Sequence, residues 1–226
     1  MAGNAIILAA GSGSRMGGET PKQFLHLAGK PVLSYSLTAF ENAESIRSVV
    51  LVTSKDQITR CESEFGAAAG FRKVNAIVEG GSERQYSVAE GLRAIGDVEA
   101  VVAIHDGARP FVTPGQINSV VVEAEKSGAA VLGTPITDTV KLTEGNHVKE
   151  TLDRSKLWCV QTPQAFQLEV IRKAHKEAEK TKFLGTDDTA LVEKIGSPVV
   201  VVPGMPDNIK ITTPADLEMG EDILRR

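Results

Sequence analysis

The chain has 226 residues, of which 42% are hydrophobic and 24% charged, and its formal net charge is −4. These values are ordinary for a globular protein, and no apolar run approaches the roughly 18 residues that a membrane-spanning helix needs, so we expect no membrane partner. The negative charge, which no long basic run offsets, argues against a nucleic-acid partner.

The first residues and the cysteines indicate a cytoplasmic protein. A strand-like run begins by Ala5, so we expect no signal or transit peptide. Cys61 and Cys159 lie far apart and match neither a zinc site nor a redox motif. We therefore expect two reduced thiols.

Short β-branched runs alternate with stretches of helical periodicity along the chain. The predicted strands cover 5–9, 48–53, 74–78, 100–104, 129–133 and 198–202, and the predicted helices cover 32–42, 56–65, 84–95, 115–127 and 167–180. The strand runs are almost continuously apolar, which is typical of parallel strands with helices on both faces. The pattern predicts one α/β domain over 1–226 with a Rossmann-like, mostly parallel sheet.

A glycine-rich segment, AAGSGSRMGGETPKQF at 9–24, follows the first predicted strand. It is not a dinucleotide-binding fingerprint, because Met16 stands where the third glycine should be. It is not a P-loop either, because Glu19 stands where that motif requires a lysine. The segment does contain two cations, Arg15 and Lys22, separated by flexible glycines. This arrangement suits a triphosphate that is held from two sides.

Polar clusters directly follow four of the predicted strands. They read AAGSGSR, EGGSERQYS, HDGARP and TPITDT. In open parallel sheets, ligands bind beyond the carboxyl ends of the strands. We therefore expect the four clusters to share one site at one edge of the sheet instead of forming four unrelated turns.

HDGARP places Asp106 at the end of a predicted strand, where its carboxylate can hold a Mg²⁺ ion shared with substrate phosphates. The alternative is a helix cap or a partner for Arg109, and the two cations of the glycine-rich loop favour the metal. We interpret His105 as structural. It could act as a base, but phosphoryl and nucleotidyl transfer from a phosphate nucleophile need none, because the attacking oxygen is already ionised. Further on, PDNIKITTP places Asp207 and Lys210 at the end of a short predicted strand. Taken alone, Lys210 is an ordinary surface lysine, and only the other candidate site residues suggest a role for it.

Two helix starts are explicit in the sequence. TPGQ at 113–116 and TPAD at 213–216 each offer a threonine as N-cap, a proline at the first helical position and a capping-box partner.

The segment ITDTVKLTEGNHVKETLDRSKLW at 136–158 breaks the alternation of strands and helices. Two strand-like stretches flank the turn-forming EGN, which predicts a β-hairpin. Its polar side chains are hard to bury in the parent sheet. Two interpretations stay open: an ordinary surface hairpin, and a protruding arm that packs on another subunit.

Eight motifs occur in a fixed order between Ala5 and Leu217. They are LAAGSGSRMG, PKQF, GGSERQYSV, HDGARP, DT at 138–139, DR at 153–154, TPQ at 162–164 and DNIK at 207–210. The first loop is shared by many sugar nucleotidyltransferases, but the ordered set resembles the 2-C-methyl-D-erythritol 4-phosphate cytidylyltransferase family of the isoprenoid pathway.

The resemblance implies a nucleotidyltransferase-type fold. It also implies that CTP and a polyol phosphate, 2-C-methyl-D-erythritol 4-phosphate, react with Mg²⁺ to give 4-diphosphocytidyl-2-C-methyl-D-erythritol and pyrophosphate. The matching residues are Arg15, Lys22 and Lys210 at the reacting phosphates, Ala9, Ala10, Gly11, Gly13, Gly81, Ser87 and Asp106 at CTP, Asp106 at the metal, and Arg109, Thr139 and Arg154 at the acceptor phosphate. Because Thr139 and Arg154 match residues supplied by a partner subunit, the resemblance implies a homodimer whose active sites are completed across the interface by the 136–158 arm.

One position departs from the family pattern. Ser82 stands where relatives carry an acidic residue near the ribose. The stretch SERQ at 82–85 has the form of a capping box, so we expect Ser82 to cap the following helix instead.

Three other functions stay open at this point. A ribitol 5-phosphate cytidylyltransferase would use the same chemistry on a different acceptor. A non-catalytic nucleotide-binding protein would keep the fold, but it would not need Arg15, Lys22, Asp106 and Lys210 together. An NAD-dependent oxidoreductase is disfavoured by Met16 in the glycine-rich loop.

Overall fold

A seven-stranded sheet forms the centre of the computed structural model, which describes residues 3–11, 20–96 and 100–226. The strands are β1 (Gly3–Ala9), β2 (His26–Leu27), β3 (Lys30–Pro31), β4 (Ile46–Thr53), β5 (Val74–Glu79), β6 (Val101–Asp106), β7 (Ala129–Pro135), β8 (Lys141–Glu144), β9 (His147–Thr151), β10 (Trp158–Gln167) and β11 (Val200–Pro203). The helices are α1 (Val32–Asn42), α2 (Ile58–Phe65), α3 (Arg84–Ile95), α4 (Pro114–Ser127), α5 (Leu168–Thr181), α6 (Asp188–Lys194) and α7 (Pro214–Arg225). Within these described ranges, no helix is long and apolar enough to cross a membrane.

The predicted mostly parallel sheet is confirmed, and its strand order is β11-β7-β10-β6-β1-β4-β5. Only β10 runs antiparallel to its neighbours β6 and β7 among the described strands of this sheet. The sequence analysis missed β10 and the short helix α6. The reason for β10 is its sequence, WCVQTPQAFQ, whose polar side chains conceal a strand that is buried from Gln161 to Phe166.

Consecutive strand residues pack against two different layers of helices. Ile7 belongs to a core shared with α1, α2 and α4, whereas its neighbour Ile6 belongs to a core shared with α3, α5 and α6. Successive side chains of a strand point to opposite faces, so apolar residues at every position require cover on both sides. The two layers leave the edge at the carboxyl ends of the parallel strands open for the polar clusters.

Two of the three predicted capping patterns are correct. Thr113 and Thr213 form complete capping boxes at the starts of α4 and α7. The third prediction is wrong, because α3 begins at Arg84 with Glu83 as its N-cap, and no side chain in the described part of the chain caps it. Ser82 lies one residue too early to act as the cap.

Asp207 and Lys210 do not end a strand, contrary to the prediction. β11 ends at Pro203, and the chain is irregular from there to α7. The backbone N–H of Ile211 donates to the carbonyl oxygen of Ala108 at 2.8 Å. This bond holds the irregular segment beside the end of β6.

The hairpin predicted within 136–158 is confirmed. β8 and β9 pair antiparallel in a sheet of their own, and every residue of both strands is exposed. The exposed residues include two large apolar side chains, Leu142 and Val148. The last residue of the predicted segment, Trp158, already belongs to β10.

His105 lies in β6 with no exposure to solvent. Its Nε2 is 3.2 Å from the carbonyl oxygen of Arg109, which assigns the proton to Nε2, and the hydroxyl of Thr162 is 3.0 Å from Nδ1. The ring also packs on Phe40, with 5.1 Å between centroids. Burial lowers the pKa of His105 to about 3. The ring is therefore neutral and fully engaged, as expected for a structural histidine.

The depressed pKa of His105 predicts a loss of stability in mild acid. An unfolded histidine takes up a proton below its ordinary pKa of about 6.5, whereas the folded one does not, so the free energy of unfolding falls as the pH drops from about 6.5 towards 3. Between pH 6.5 and 4.5 we expect His105 to contribute a slope of up to about 1.4 kcal/mol per pH unit. Urea denaturation of the wild type and His105→Gln measures this slope, which should be shallower in the variant.

The matched control is His147→Gln, because His147 lies on the exposed strand β9. This variant should keep the wild-type slope. Identical slopes in the wild type and His105→Gln would contradict the prediction.

Candidate active site

The carboxyl ends of β1, β5 and β6 enclose a pocket of about 470 Å³. Among the residues that line it are Ala10, Gly11, Lys22, Gly81, Ser87, Asp106 and Lys210, all singled out from the sequence. Three of the four polar clusters that we expected to meet at one edge of the sheet therefore line this pocket. The fourth, TPITDT, does not contribute to the lining. The roles given to these residues remain predictions.

The other predicted site residues lie in different places. Gly13 and Arg15 fall outside the described residues. Arg109 lies beside the pocket, and its Nη1 donates to the carbonyl oxygen of Asn208 at 2.7 Å. Thr139 precedes β8 and Arg154 follows β9, so both lie at the base of the hairpin, and neither belongs to this lining. Nη1 of Arg154 donates to the carbonyl oxygen of Thr137 at 2.6 Å.

Gln23 ties the base of the glycine-rich loop to the segment that presents Lys22. It is 2% exposed, and its Nε2 donates to the carbonyl oxygens of Ala9 and Gly11, the latter at 3.2 Å. This buried amide therefore fixes the backbone at the end of β1, including the predicted CTP contact at Ala9. The sequence analysis quoted PKQF but did not give Gln23 a role.

Gly80 allows the loops after β1 and β5 to meet. A Cβ atom at this position would lie 2.7 Å from both the Cβ of Ala10 and the Oγ of Ser87. Any side chain here would therefore push apart two walls of the pocket.

Asp106 forms ion pairs with two cations from other parts of the chain. Its Oδ1 is 3.1 Å from Nε of Arg84, and its Oδ2 is 2.6 Å from Nζ of Lys210. Burial alone would raise the pKa of Asp106, but the charges of Arg84, Lys210 and Arg109 outweigh it and hold this pKa well below its usual range. The carboxylate is therefore ionised, and its partners are not those of the predicted alternative, a pairing with Arg109 or a helix cap.

Arg84 bridges Asp106 to a second carboxylate. Its Nη1 donates to Oδ2 of Asp188 at 2.7 Å, and the side chain of Asp188 is 1% exposed. Burial lowers the pKa of Arg84, but the two carboxylates outweigh it and raise this pKa. The sequence analysis missed both residues. Arg84 carries a signal that could have found it, because a cation at the first position of a helix opposes the helix dipole.

The residues present fit a divalent metal that is shared with substrate. The described residues contain no group of three or more histidine, cysteine or acidic side chains that could hold a metal by itself. Two carboxylates, Asp106 and Glu83, do line the pocket. A carboxylate has about four acceptor positions, and Asp106 uses only two on its cations. Mg²⁺ characteristically takes one or two carboxylates together with substrate phosphates.

Comparisons with known proteins agree with this geometry. A sequence model described as 2-C-methyl-D-erythritol 4-phosphate cytidylyltransferase matches residues 4–226. The chain is 47% identical over 222 residues to the protein of that name from Pelotomaculum thermopropionicum, covering 98% of this chain and 93% of the relative. It is similar to the solved 4-diphosphocytidyl-2C-methyl-D-erythritol synthase of Anaerococcus prevotii, with a TM-score of 0.87, 30% identity and coverage of 99% and 96%. It is also similar to the crystal structure of the Thermus thermophilus cytidylyltransferase, with a TM-score of 0.80, 33% identity and full coverage of both chains. The chain therefore belongs to the 2-C-methyl-D-erythritol 4-phosphate cytidylyltransferase family.

Proposed function

We propose that this chain transfers the cytidylyl group of CTP to 2-C-methyl-D-erythritol 4-phosphate in the pocket at the edge of the central sheet. Membership of the family supports the reaction, which releases pyrophosphate. The observation that carries the location is that three cations, Lys22, Arg84 and Lys210, line the pocket together with the ionised Asp106, and that Arg84 and Lys210 form ion pairs with it. The three cations outnumber the two carboxylates of the lining, Asp106 and Glu83, and a pocket with this excess of positive charge suits a triphosphate.

The reaction needs charge neutralisation more than proton transfer. The acceptor phosphate and the α-phosphate of CTP are both anions, so most of the catalysis comes from bringing them together and stabilising the added negative charge. The attacking oxygen is already ionised and requires no general base. This agrees with His105, whose two ring nitrogens are engaged. In our proposal Lys22 and Lys210, together with Arg15, contact the reacting phosphates.

The cytosine ring binds in this proposal against the loops after β1 and β5. Ala10, Gly11 and Gly81 line this part of the pocket. The hydroxyl of Ser87 is 3.3 Å from the carbonyl oxygen of Gly81 and 3.1 Å from that of Glu83, so its proton is used within the protein. Its oxygen keeps the capacity to accept a hydrogen bond from an amino group, which cytosine has and uracil lacks.

Magnesium is part of the proposal, with Asp106 as the protein ligand and Glu83 as a second carboxylate at the pocket. When bound, a divalent ion neutralises the charge of the triphosphate and of the leaving pyrophosphate. The protein residues keep Asp106 ionised and oriented, which any such ion requires.

We also propose a homodimer in which the arm of one subunit completes the site of the other with Thr139 and Arg154. The support is the exposure of the hairpin and of apolar side chains on or beside it: Leu142, Val148, Trp158 and Val160. Exposed apolar side chains grouped in this way are typical of an interaction surface.

A cytoplasmic location is proposed on the two cysteines, neither of which forms a disulfide.

The function is tested by pyrophosphate release from CTP in the presence of Mg²⁺. We expect release with 2-C-methyl-D-erythritol 4-phosphate, none with ribitol 5-phosphate, and none after chelation with EDTA. Release with ribitol 5-phosphate alone would overturn the acceptor. No pyrophosphate release with either acceptor would overturn the transferase assignment.

Lys210→Ala and Lys22→Ala should each lower kcat about 100- to 1000-fold, because each removes a preorganised charge from the transition state. The thermal unfolding midpoint of Lys22→Ala should stay near that of the wild type, because Lys22 borders the pocket. Lys210→Ala should have a lower midpoint, because it removes one ion-pair partner of the buried Asp106. Lys173→Ala, on the exposed face of α5, is the matched control and should keep wild-type turnover. Near-wild-type kcat in both pocket variants would remove the proposed roles.

The shared active site predicts complementation between two inactive variants. Lys210→Ala disables the subunit's own half of the site, and Arg154→Ala disables the half given to its partner. Random pairing of the two chains places one intact site in each heterodimer, so a mixture should recover about a quarter of wild-type activity in a two-fold symmetric dimer. Activity of the unfolded and refolded mixture measures this recovery, and no recovery would contradict a site built from two subunits.

A further inference from the structure

We propose that Arg84 is a positioning residue for Asp106, and that the buried Asp188 holds Arg84 in place. This inference rests on the proposed function, because it concerns the orientation of the carboxylate at the reacting phosphates. The juxtaposition is a chain of charges from the interior to the pocket. Asp188 lies behind Arg84, and Asp106 lies between Arg84 and Lys210.

The inner end of this row of charged side chains is held by several hydrogen bonds. Asp188 begins α6, and its backbone N–H donates to Oε1 of Gln164 at 3.0 Å. The same oxygen accepts from the backbone N–H of Thr189 at 3.2 Å, while Nε2 of Gln164 donates to Asp187 at 2.9 Å. Gln164 is a buried residue of β10 in the central sheet. The carboxylate of Asp188 is therefore anchored to the sheet through the start of α6.

The guanidinium transmits this anchoring to Asp106. Arginine presents its donors in a fixed planar fork, so a bond from Nη1 to Asp188 sets the direction of the Nε bond to Asp106. With Oδ1 of Asp106 fixed by Arg84, its Oδ2 faces Nζ of Lys210 at 2.6 Å. If Arg84 turned, Asp106 and Lys210 would both shift relative to the phosphates.

Stability alone does not account for this arrangement. Buried ion pairs are often no better for stability than apolar residues of similar size. In addition, Nη2 of Arg84 is buried without a hydrogen-bond partner among the described residues, and an unsatisfied buried donor is destabilising. A group retained at such a cost is better explained by the placement it gives to Asp106.

Substitution of Asp188 tests positioning separately from direct substrate binding. Arg84 lines the pocket and could touch a substrate, whereas Asp188 is 1% exposed and is not part of the lining. An effect of Asp188→Asn on turnover must therefore pass through another residue. Removing a supporting contact of this kind commonly lowers activity about 10- to 100-fold.

The experiment compares Asp188→Asn, Arg84→Lys and the double variant with the wild type. The readouts are kcat, the KM of each substrate, the thermal midpoint and the calorimetric Kd of CTP with Mg²⁺. We expect each single variant to lower kcat about 10- to 100-fold with little change in the Kd of CTP. The double variant should lose no more than the worse single variant, because the two residues act as one unit. Asp188→Glu, which keeps the charge, should restore part of kcat.

The control is Arg93→Lys, which changes an exposed arginine of the same helix paired with Glu90 and should leave kcat unchanged. A lower thermal midpoint of Asp188→Asn with wild-type kcat would reveal a purely structural pair and overturn the inference. A weaker Kd of CTP in Arg84→Lys alone would show direct binding and also overturn it. If Asp188→Asn does not fold, the comparison of Asp188→Glu with Arg84→Lys decides between the same outcomes. An inactive wild type would overturn the proposed function, and the inference with it.

Discussion

The ionised carboxylate of Asp106 is the constraint on which the rest of the site depends. It is buried at the end of β6, and its two oxygens contact cations from two separate segments, the start of α3 and the irregular chain after β11. A buried charge is strongly destabilising unless it is compensated, so neither segment can move away without leaving an unpaired ion. One negative charge therefore holds two walls of the pocket against the end of a parallel strand.

Neutral hydrogen bonds complete this arrangement on the side of Lys210. Asn208 is fully buried, and its Nδ2 donates to Oε1 of Gln161 at 3.2 Å and to the carbonyl oxygen of Thr162 at 3.0 Å. The backbone carbonyl oxygen of Asn208 accepts a hydrogen bond from Nη1 of Arg109 at 2.7 Å. Gln161 and Thr162 belong to β10. Because β10 is antiparallel, its first half lies at the edge where its parallel neighbours end, and so it can anchor a segment that has no regular secondary structure.

The fold is largely predictable from the sequence because its parallel strands are apolar runs with helices on both faces. β10 escapes such a prediction because Gln164 and its polar neighbours are satisfied inside the protein instead of by water. Arg84 and Asp188 escape for a different reason: they are 104 positions apart, and no local pattern reports their pairing. Local chemistry allowed both a metal and a structural partner for Asp106, and only the two cations of the glycine-rich loop favoured the metal. The ordered motifs indicated the activity, and the geometry then showed which charges meet.

The long sequence separations within the ion cluster bear on the order in which the chain folds. Asp106 and Lys210 are also 104 positions apart, so their contact requires the closure of a long loop and forms after the local contacts of the sheet. During synthesis, β1, β4 and β6 leave the ribosome before α6 and Lys210 exist. Until then Asp106 lacks its partner Lys210, and Arg84 lacks its partner Asp188. A pocket with all its charges in place is thus a late product of folding, and it distinguishes a finished chain from one that has assembled only its first strands.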